Sequence, residues 1–282
     1  MTFSLTTRLI AEFLGTAIMV MIGNGSVANV ELKGTKGSHS GWIVIAIGYG
    51  MAVMIPALMI GKISGNHINP AFTIGLAVAG DVPLAEVLPY ILVQFAGAIV
   101  GQFILYLCFK PHYDATENPD AILGTFSTTD ATNNKFNGFV NEFFGSFILF
   151  FCALSITHSP IFEHGNQGAG FIGVGLLVMA LVASFGGPTG PALNPARDLG
   201  PRLAHFLLPI PGKGSCDFGY AWIPMTAPLL GGITATFVYL AIYEKVIDVR
   251  LFVIMLLNIV VLSLIKVNSK INLKKLSFIK MH

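Results

Sequence analysis

The amino-acid sequence predicts an all-α membrane protein with six transmembrane helices and two re-entrant half-helices, arranged as an inverted repeat. Three observations lead to this fold class. Of the 282 residues, 54% are hydrophobic and only 11% are charged, whereas soluble globular proteins carry about 25% charged residues. Several apolar stretches are long enough to cross about 30 Å of hydrocarbon. Finally, the tripeptide Asn-Pro-Ala occurs twice, each time at the start of a shorter apolar stretch.

The composition excludes several classes of protein. So few charges cannot cover the surface of a soluble domain, and so many apolar residues exclude a disordered chain. The 31 glycines and 15 prolines are typical of a helical membrane bundle with broken helices. A net charge of +2 is too small to indicate a nucleic-acid partner. Neither the three cysteines nor any other residues form a metal, phosphate-binding or nucleophile motif, so we expect no metal, no cofactor and no enzymatic activity.

Each predicted transmembrane helix is an apolar stretch between loops. The six stretches are Arg8–Ala28, Trp42–Ile60, Leu84–Phe109, Gly138–His158, Ala169–Phe185 and Ala221–Tyr243. Two connections remain largely apolar and contain the stretches Asn69–Ala79 and Asn194–Leu208, which are too short to cross the membrane. Apolar segments of this length are typical of re-entrant helices.

The C-terminal tail, residues 244–282, differs in composition from the rest. It contains seven of the sixteen lysines and arginines but only two acidic residues. Its apolar run, Leu251–Ile265, is short for a transmembrane helix and is followed by five lysines. This pattern favours an interfacial helix with a basic end. The alternative, a seventh transmembrane helix, would place those lysines on the far side of the membrane, against the positive-inside tendency.

The sequence repeats itself over two halves, residues 8–109 and 138–243. AEFLGT at residues 11–16 recurs as NEFFGS at 141–146, and SGNHINPA at 64–71 recurs as TGPALNPA at 189–196. Because each half contains three transmembrane stretches, an odd number, the second half must enter the membrane from the opposite side. The repeat therefore predicts that the two Asn-Pro-Ala segments enter from opposite faces and meet near the middle.

Both Asn-Pro-Ala segments predict the start of a helix, because Asn is a favoured N-cap and Pro is favoured at the first helical position. The two copies are Asn69, Pro70, Ala71 and Asn194, Pro195, Ala196. Each helix N-terminus carries about half a positive charge. Two facing termini would repel cations and would orient a passing hydroxyl group or water molecule by its oxygen. A single copy predicts no more than a capped loop, but two copies in register predict a pore.

The extended segment before each half-helix has backbone carbonyl groups without helical partners. Irregular backbone at membrane depth occurs only against protein or a water-filled cavity. We therefore predict that a set of these carbonyls lines the pore, namely those of Gly65, Asn66, His67, Ile68, Ala192 and Leu193.

Among the charged residues within the predicted membrane region, three are candidates for a role at these segments. Arg197 follows Asn194 by three residues, and an arginine at that depth costs about 2.5–3.5 kcal/mol on insertion scales. We interpret it as a fixed positive charge at a constriction rather than as an interfacial arginine. Glu12 and Glu142 are equivalent in the repeat. They indicate either a site of ion-coupled transport or, as we favour, acceptors for N–H groups of the re-entrant loops.

The paired motifs, Arg197 and the Ala-Glu-Phe opening resemble the major intrinsic protein family, the aquaporins and glycerol facilitators, over residues 8–243. The resemblance implies an aquaporin-like channel domain in residues 1–243 and a homotetramer with one pore per subunit. Asp198 and Arg202 resemble the glycerol branch, since water-selective members have small residues there. Pro228 and Leu229 also resemble that branch, since water channels tend to carry an aromatic pair.

The family forms its outer constriction from four residues at fixed distances from the two motifs. The resemblance carries these over to Tyr49, Val182, Pro191 and Arg197. The set differs from water channels, which have His at the second position, and from common glycerol channels, which have aromatic, Gly and aromatic residues. It resembles facilitators of lactic acid bacteria, which are associated with glycerol, dihydroxyacetone, undissociated lactic acid and water.

We therefore expect a passive channel for glycerol, water and other small uncharged solutes that excludes protons and ions. We expect it in the cell membrane, with both termini in the cytoplasm. A water-selective pore is one alternative, which Asp198, Arg202, Pro228 and Val182 disfavour. A secondary transporter is another, since inverted repeats and half-helices also build transporters. A sensor or structural protein with a closed pore would share the same sequence features.

Overall fold

The computed structural model describes residues 3–159 and 167–279, and every regular element in these ranges is an α-helix. The helices are α1 Leu5–Glu31, α2 Trp42–Ser64, α3 Pro70–Ala79, α4 Leu84–Ala115, α5 Pro119–Gly124, α6 Lys135–Thr157, α7 Gln167–Thr189, α8 Pro195–Leu207, α9 Phe218–Tyr243 and α10 Val249–Ile279. Within these ranges seven helices are long and apolar enough to cross a membrane, namely α1, α2, α4, α6, α7, α9 and α10. The six predicted transmembrane helices are confirmed, and a seventh candidate lies in the tail.

The transmembrane helices are longer than the apolar stretches that predicted them. The end of α4 is Ala115 rather than Phe109, and the end of α7 is Thr189 rather than Phe185. Hydropathy identifies only the apolar part of a helix. The helix itself continues until its last carbonyl groups accept hydrogen bonds from groups outside the helix.

The two halves have the same order of elements, α1 to α4 and α6 to α9. In each half the first helix packs against the other two transmembrane helices. Each half-helix packs against the last transmembrane helix of the other half, α3 against α9 and α8 against α4. The halves are therefore intertwined, and this arrangement directs the two half-helices toward the same region of the bundle.

The halves also meet where α2 packs against α7. A Cβ atom built on Gly50 would lie 2.8 Å from the carbonyl oxygen of Gly175. In the reverse direction, a Cβ atom on Gly175 would lie 3.0 Å from the carbonyl oxygen of Gly50. Helices in a membrane associate through such close packing of small residues. The reciprocal contact indicates that the approximate two-fold axis of the repeat passes near this pair.

Both half-helices begin where the sequence predicted. Asn69 and Asn194 have extended backbone angles, φ −154° and −153°, and act as N-caps. The side-chain oxygen of Asn69 accepts a hydrogen bond from Ala71 N at 3.0 Å, and that of Asn194 accepts one from Ala196 N at 3.0 Å. A proline fills the first helical position in each case, where no N–H group is needed.

The tail forms one long helix, which is longer than its apolar run. It forms α10, which packs against α9 and α6, and residues Val249–Asn268 have a mean hydropathy of 2.3. The apolar run alone is too short to cross the membrane, but the helix includes a cation at each end of that run. The guanidinium of Arg250 lies over the ring of Phe237, and the ammonium group of Lys266 lies over that of Phe136.

The contact between α2 and α7 generates a first prediction. We expect Gly50→Ala to lower stability, because the added methyl group meets backbone on α7, which cannot rotate away. Overpacking of this kind costs about 1–3 kcal/mol, more than the 0.5–1 kcal/mol that alanine gains over glycine in a helix. Thermal unfolding in detergent measures the effect. Gly187→Ala is the control, because a Cβ atom there meets nothing within 4 Å; equal melting temperatures for both variants would contradict the prediction.

Candidate functional site: a pore between the two half-helices

The two half-helix N-termini are linked by a reciprocal pair of hydrogen bonds. Asn69 Nδ2 donates to the carbonyl oxygen of Leu193 at 2.9 Å, and Asn194 Nδ2 donates to that of Ile68 at 2.7 Å. Each asparagine therefore caps its own helix with its oxygen and holds the loop of the other half with its nitrogen. An amide nitrogen carries two N–H groups: Asn194 Nδ2 also donates to Met19 Sδ, a weak acceptor, at 3.8 Å, whereas Asn69 keeps a second N–H group for another acceptor.

The loops that precede the half-helices have an unusual backbone. Ile68 and Leu193, each directly before its asparagine, have positive φ angles of 43° and 52°. Bulky residues rarely adopt this region, and the conformation persists only where its surroundings enforce it. The enforcing groups here are two buried carboxylates, one in each half.

Glu12 on α1 is fully buried and accepts four hydrogen bonds. Its Oε1 accepts from Ser64 Oγ at 2.7 Å and from His67 N at 2.8 Å, and its Oε2 accepts from Ile68 N at 2.7 Å and from Gln94 Nε2 at 2.9 Å. The carboxylate thus satisfies two loop N–H groups that have no helical partner.

Glu142 on α6 occupies the equivalent position in the second half and is also fully buried. Its Oε1 accepts from Thr189 Oγ1 at 2.7 Å and from Ala192 N at 2.9 Å, and its Oε2 accepts from Leu193 N at 2.9 Å. Both carboxylates therefore hold the positive-φ residue that precedes the half-helix of their own half.

A cavity, here called the central cavity, lies between the two loops and the transmembrane helices. One wall consists of the loop residues Gly65, Asn66, His67, Ile68, Pro191, Ala192 and Leu193 together with the two N-cap asparagines. The transmembrane helices form most of the rest of the lining, which is largely apolar: Met19, Val53, Ala57, Leu149, Ala153, Phe171, Val174, Val178 and Val182, with Thr157 at the end of α6. The residues predicted to offer carbonyl groups to a pore thus lie together on one side of one cavity.

A second cavity, here called the vestibule, opens at the other end. It is lined by Glu31 at the end of α1, Trp42 at the start of α2, and residues of the segments 118–131 and 186–190. Three residues line both cavities, Tyr49, Val182 and Arg197. They lie where the cavities meet, whereas Pro191 lines only the central cavity. Since the central cavity reaches Thr157 at the end of α6 and the vestibule reaches Glu31 at the end of α1, the two cavities together extend toward both ends of the bundle.

Arg197 is 4% exposed and is held by neutral groups. Its Nη1 donates to the carbonyl oxygen of Phe126 at 3.3 Å, and its Nη2 donates to the hydroxyl of Tyr49. Its guanidinium carbon also lies 4.9 Å from the centre of the Tyr49 ring. Asn24 supports both partners, since it accepts from the Tyr49 hydroxyl and donates to Phe126 O at 3.1 Å.

Asp198 and Arg202 do not line either cavity, and both are fully buried. Asp198 accepts hydrogen bonds from Thr128 N and Thr128 Oγ1, each at 2.7 Å, and pairs with Arg202. Arg202 in turn donates to the carbonyl oxygens of Thr128 and Cys216, each at 2.7 Å. The pair fixes the segment that presents the Phe126 carbonyl to Arg197.

The remaining predicted residues lie away from the pore. Pro228 and Leu229 are on α9, where Leu229 packs against the core around Phe150, and neither lines the two cavities.

Two residues near the cavities, Asn24 and Gln102, were not identified from the sequence. They hydrogen-bond each other at 2.6 Å behind Tyr49. The sequence did offer a signal, since an amide side chain lies inside a predicted transmembrane stretch in both cases: Asn24 in Arg8–Ala28 and Gln102 in Leu84–Phe109. In the described ranges no group of three His, Cys, Asp or Glu side chains is placed to bind a metal ion.

The loop geometry generates a second prediction. We expect Glu142→Gln to destabilise the protein by about 1–3 kcal/mol, the cost of an unsatisfied buried donor. In either orientation of the glutamine, its NH2 group replaces a carboxylate oxygen that now accepts hydrogen bonds. It would then face either Leu193 N or both Thr189 Oγ1 and Ala192 N, and at least one backbone N–H group would lose its acceptor. Thermal unfolding in detergent and osmotic water flux both measure the effect. Glu244→Gln, at an exposed glutamate, is the control; an unchanged melting temperature for Glu142→Gln would refute the prediction.

Comparisons with known proteins agree with this architecture. The family model described as major intrinsic protein matches residues 1–239. Glycerol uptake facilitator protein-like 5 of Lactiplantibacillus plantarum is 51% identical over 245 residues, which are 85% of this chain and 98% of the relative. The glycerol uptake facilitator protein of Streptococcus pneumoniae is 49% identical over 232 residues, which are 82% of this chain and 97% of the relative.

A solved structure is also similar. The X-ray structure of the aquaglyceroporin from Plasmodium falciparum superimposes with a TM-score of 0.75 at 29% sequence identity, covering 89% of this chain and 100% of that chain. Together with the family match over most of the chain, this similarity shows that the chain belongs to the major intrinsic protein family.

Proposed function

We propose that this protein is a passive membrane channel for glycerol, water and other small uncharged solutes, and that it excludes protons and ions. The observation that carries the proposal is the path formed by the central cavity and the vestibule, with one polar and one apolar wall. The relatives named as glycerol uptake facilitators support glycerol as a solute. Dihydroxyacetone and undissociated lactic acid have the same size and character and are further candidates.

The two walls of the central cavity match the two sides of a polyol. Glycerol has three hydroxyl groups, which need hydrogen-bond partners when water is removed, and a carbon backbone, which does not. The loop wall offers carbonyl acceptors and the two asparagine amides. The opposite wall offers side chains such as Val178 and Val182, whose contact with the carbon side releases water at about 25 cal/mol per Å² of apolar area.

We attribute the exclusion of cations to three sites of positive charge along the path, of which two are partial charges and one is a full charge. The N-termini of α3 and α8 each carry about half a charge, and they face each other through their N-cap asparagines. Arg197 adds a full charge where the two cavities meet. A cation, including a hydrated proton, would have to pass all three in surroundings of low dielectric constant, where charges interact strongly.

Two alternatives find less support. A secondary transporter needs coupling-ion ligands, but Glu12 and Glu142 are occupied as acceptors for loop N–H groups. A water-selective pore needs a narrower, more polar constriction than Val182 provides. Family membership also gives no reason to expect catalysis, and we infer none.

The chain is a multi-pass membrane protein, as its apolar helices and its family indicate. We further propose that it lies in the cell membrane as a homotetramer with one pore in each subunit. Native mass spectrometry of the detergent-solubilised protein tests the tetramer: a dominant species of four subunits is expected, and a stable monomer alone would exclude it.

A third prediction tests the proposed function directly. We expect reconstituted protein to accelerate both osmotic water flux and glycerol entry, measured by light scattering of proteoliposomes, without proton flux measured by an internal pH dye. Val182→Trp is the matched control, because an indole at the junction of the cavities blocks the path; thermal unfolding in detergent checks that this variant is folded. Saturable glycerol entry that depends on an ion gradient would support the transporter instead, and absence of glycerol entry would refute the proposal.

A fourth prediction concerns selectivity. We expect Val182→His to lower the ratio of glycerol to water permeability by at least several-fold. The imidazole is larger than valine and would project toward Tyr49 and Arg197, so it narrows the junction of the two cavities. Water still passes and gains a hydrogen-bond partner, whereas glycerol loses both width and an apolar contact. Measuring both permeabilities at equal protein density provides the test. An unchanged or higher ratio would show that residue 182 does not limit the passage of glycerol.

A further inference from the structure

The C-terminal helix α10 runs antiparallel to α9 over most of the length of α9. A five-residue connection, 244–248, joins the two helices, a length typical of antiparallel helix pairs. At its start, Arg250 lies over Phe237, near the end of α9. Farther along, Asn258 hydrogen-bonds Thr234, and Ile265 packs on a cluster that contains Tyr220, near the start of α9.

The two faces of α10 differ in what they contact. One face is formed by Ile254, Asn258, Val261, Leu262 and Ile265, a spacing of three and four residues. It packs into the groove between α6 and α9, onto the buried side chains of Phe139, Phe143, Tyr220, Ile223 and Ala227. The other face is exposed and, apart from Ser263, apolar, with Phe252, Val253, Leu256, Leu257, Ile259, Val260 and Leu264. An apolar exposed face of this extent fits a lipid environment and not water.

A polar contact lies near the middle of this packing face. Asn258 is 7% exposed, and its Nδ2 donates to Thr234 Oγ1 on α9 at 2.8 Å. In hydrocarbon an amide needs a partner, and hydrogen bonds of this kind join transmembrane helices. A helix lying flat on the membrane surface would instead direct its polar side chains toward water.

The charged ends of α10 match the two surfaces of a bilayer. Between Arg250 and Lys266 the helix has no charged residue, and at 1.5 Å per residue these two Cα atoms lie about 24 Å apart. Long basic side chains extend outward to the interface and lengthen the effective span toward the full hydrocarbon thickness. Lys266 lies over Phe136, the second residue of α6, which is the opposite end of the bundle from Arg250.

We propose that α10 is a seventh transmembrane helix, seated in the groove between α6 and α9, and that the C-terminus therefore lies on the membrane face opposite the N-terminus. Because α9 crosses the membrane and α10 follows it from end to end, α10 crosses as well. This replaces the expectation that both termini are cytoplasmic. The helix lies outside the part of the chain that the family model matches, which ends at residue 239.

Cysteine labelling of the full-length chain tests this topology. The three native cysteines, Cys108, Cys152 and Cys216, are first replaced by alanine. Single cysteines are then introduced at three exposed positions. Lys33→Cys marks the membrane face at the end of α1, and Lys245→Cys marks the face between α9 and α10. Asn268→Cys marks the far end of the apolar part of α10. A membrane-impermeant maleimide is added to intact cells and, separately, to inside-out vesicles.

The outcomes separate the two arrangements. A transmembrane α10 predicts that Asn268→Cys is labelled from the same side as Lys33→Cys and from the opposite side to Lys245→Cys. An interfacial helix predicts labelling of Asn268→Cys from the side of Lys245→Cys. That result, or labelling of Asn268→Cys from neither side although it reacts in detergent, overturns the proposal.

Cross-linking provides a second test that does not depend on labelling. The pair Thr234→Cys with Asn258→Cys places thiols where the hydrogen bond now lies, so we expect efficient disulfide formation with copper phenanthroline in membranes. The control pair, Thr234→Cys with Leu256→Cys, directs the second thiol to the exposed face and should cross-link at least several-fold less. Equal yields in the two pairs, or no cross-link in the first pair, would show that α10 does not pack in this groove.

Discussion

The pore depends on one constraint, the need to satisfy irregular backbone at membrane depth. No water in the hydrocarbon region can hydrogen-bond a free N–H group, so each loop requires an acceptor from within the protein. Glu12 and Glu142 supply it, and their bonds to Ile68 N and Leu193 N hold both residues at positive φ. The loops held in that conformation line the central cavity, and each N-cap asparagine reaches the loop of the other half. If the carboxylates were lost, the half-helices would have no fixed starting point.

The repeat builds the scaffold, and departures from the repeat give the two ends of the path different chemistry. At the register of 125 residues, Arg197 corresponds to Phe72 and Asp198 to Thr73. Both Phe72 and Arg197 line the central cavity, but only Arg197 also lines the vestibule. The apolar ring and the guanidinium thus occupy equivalent places on opposite half-helices. The path is consequently symmetric in its backbone and asymmetric in its charge, with the guanidinium of Arg197 on the side of the vestibule.

Much of this arrangement could be predicted from the sequence, because the strongest local signals coincide with the pore. Hydropathy located six helices, and Asn-Pro-Ala located both half-helix starts. The resemblance placed Tyr49 with Arg197, but the other supports of Arg197 could not be predicted, since Asn24 and Phe126 come from distant parts of the chain. Nothing local marks the Phe126 carbonyl as an acceptor. The length of the tail helix could not be predicted for a different reason: an uncharged run of fifteen residues is shorter than the helix that contains it, which continues past a cation at each end of the run.

The position of Asp198 explains how Arg197 keeps an unneutralised charge. The two residues are adjacent, and an aspartate beside a buried arginine would ordinarily pair with it and cancel its field. Arg202, one turn farther along α8, takes both carboxylate oxygens of Asp198 instead, at 2.9 and 3.1 Å. The guanidinium of Arg197 is left to donate to two neutral oxygens, those of Phe126 and Tyr49. The buried Asp198–Arg202 pair, which touches neither cavity, thus acts on the pore in two ways: it positions the segment containing Phe126 and it preserves the charge of Arg197 at the constriction.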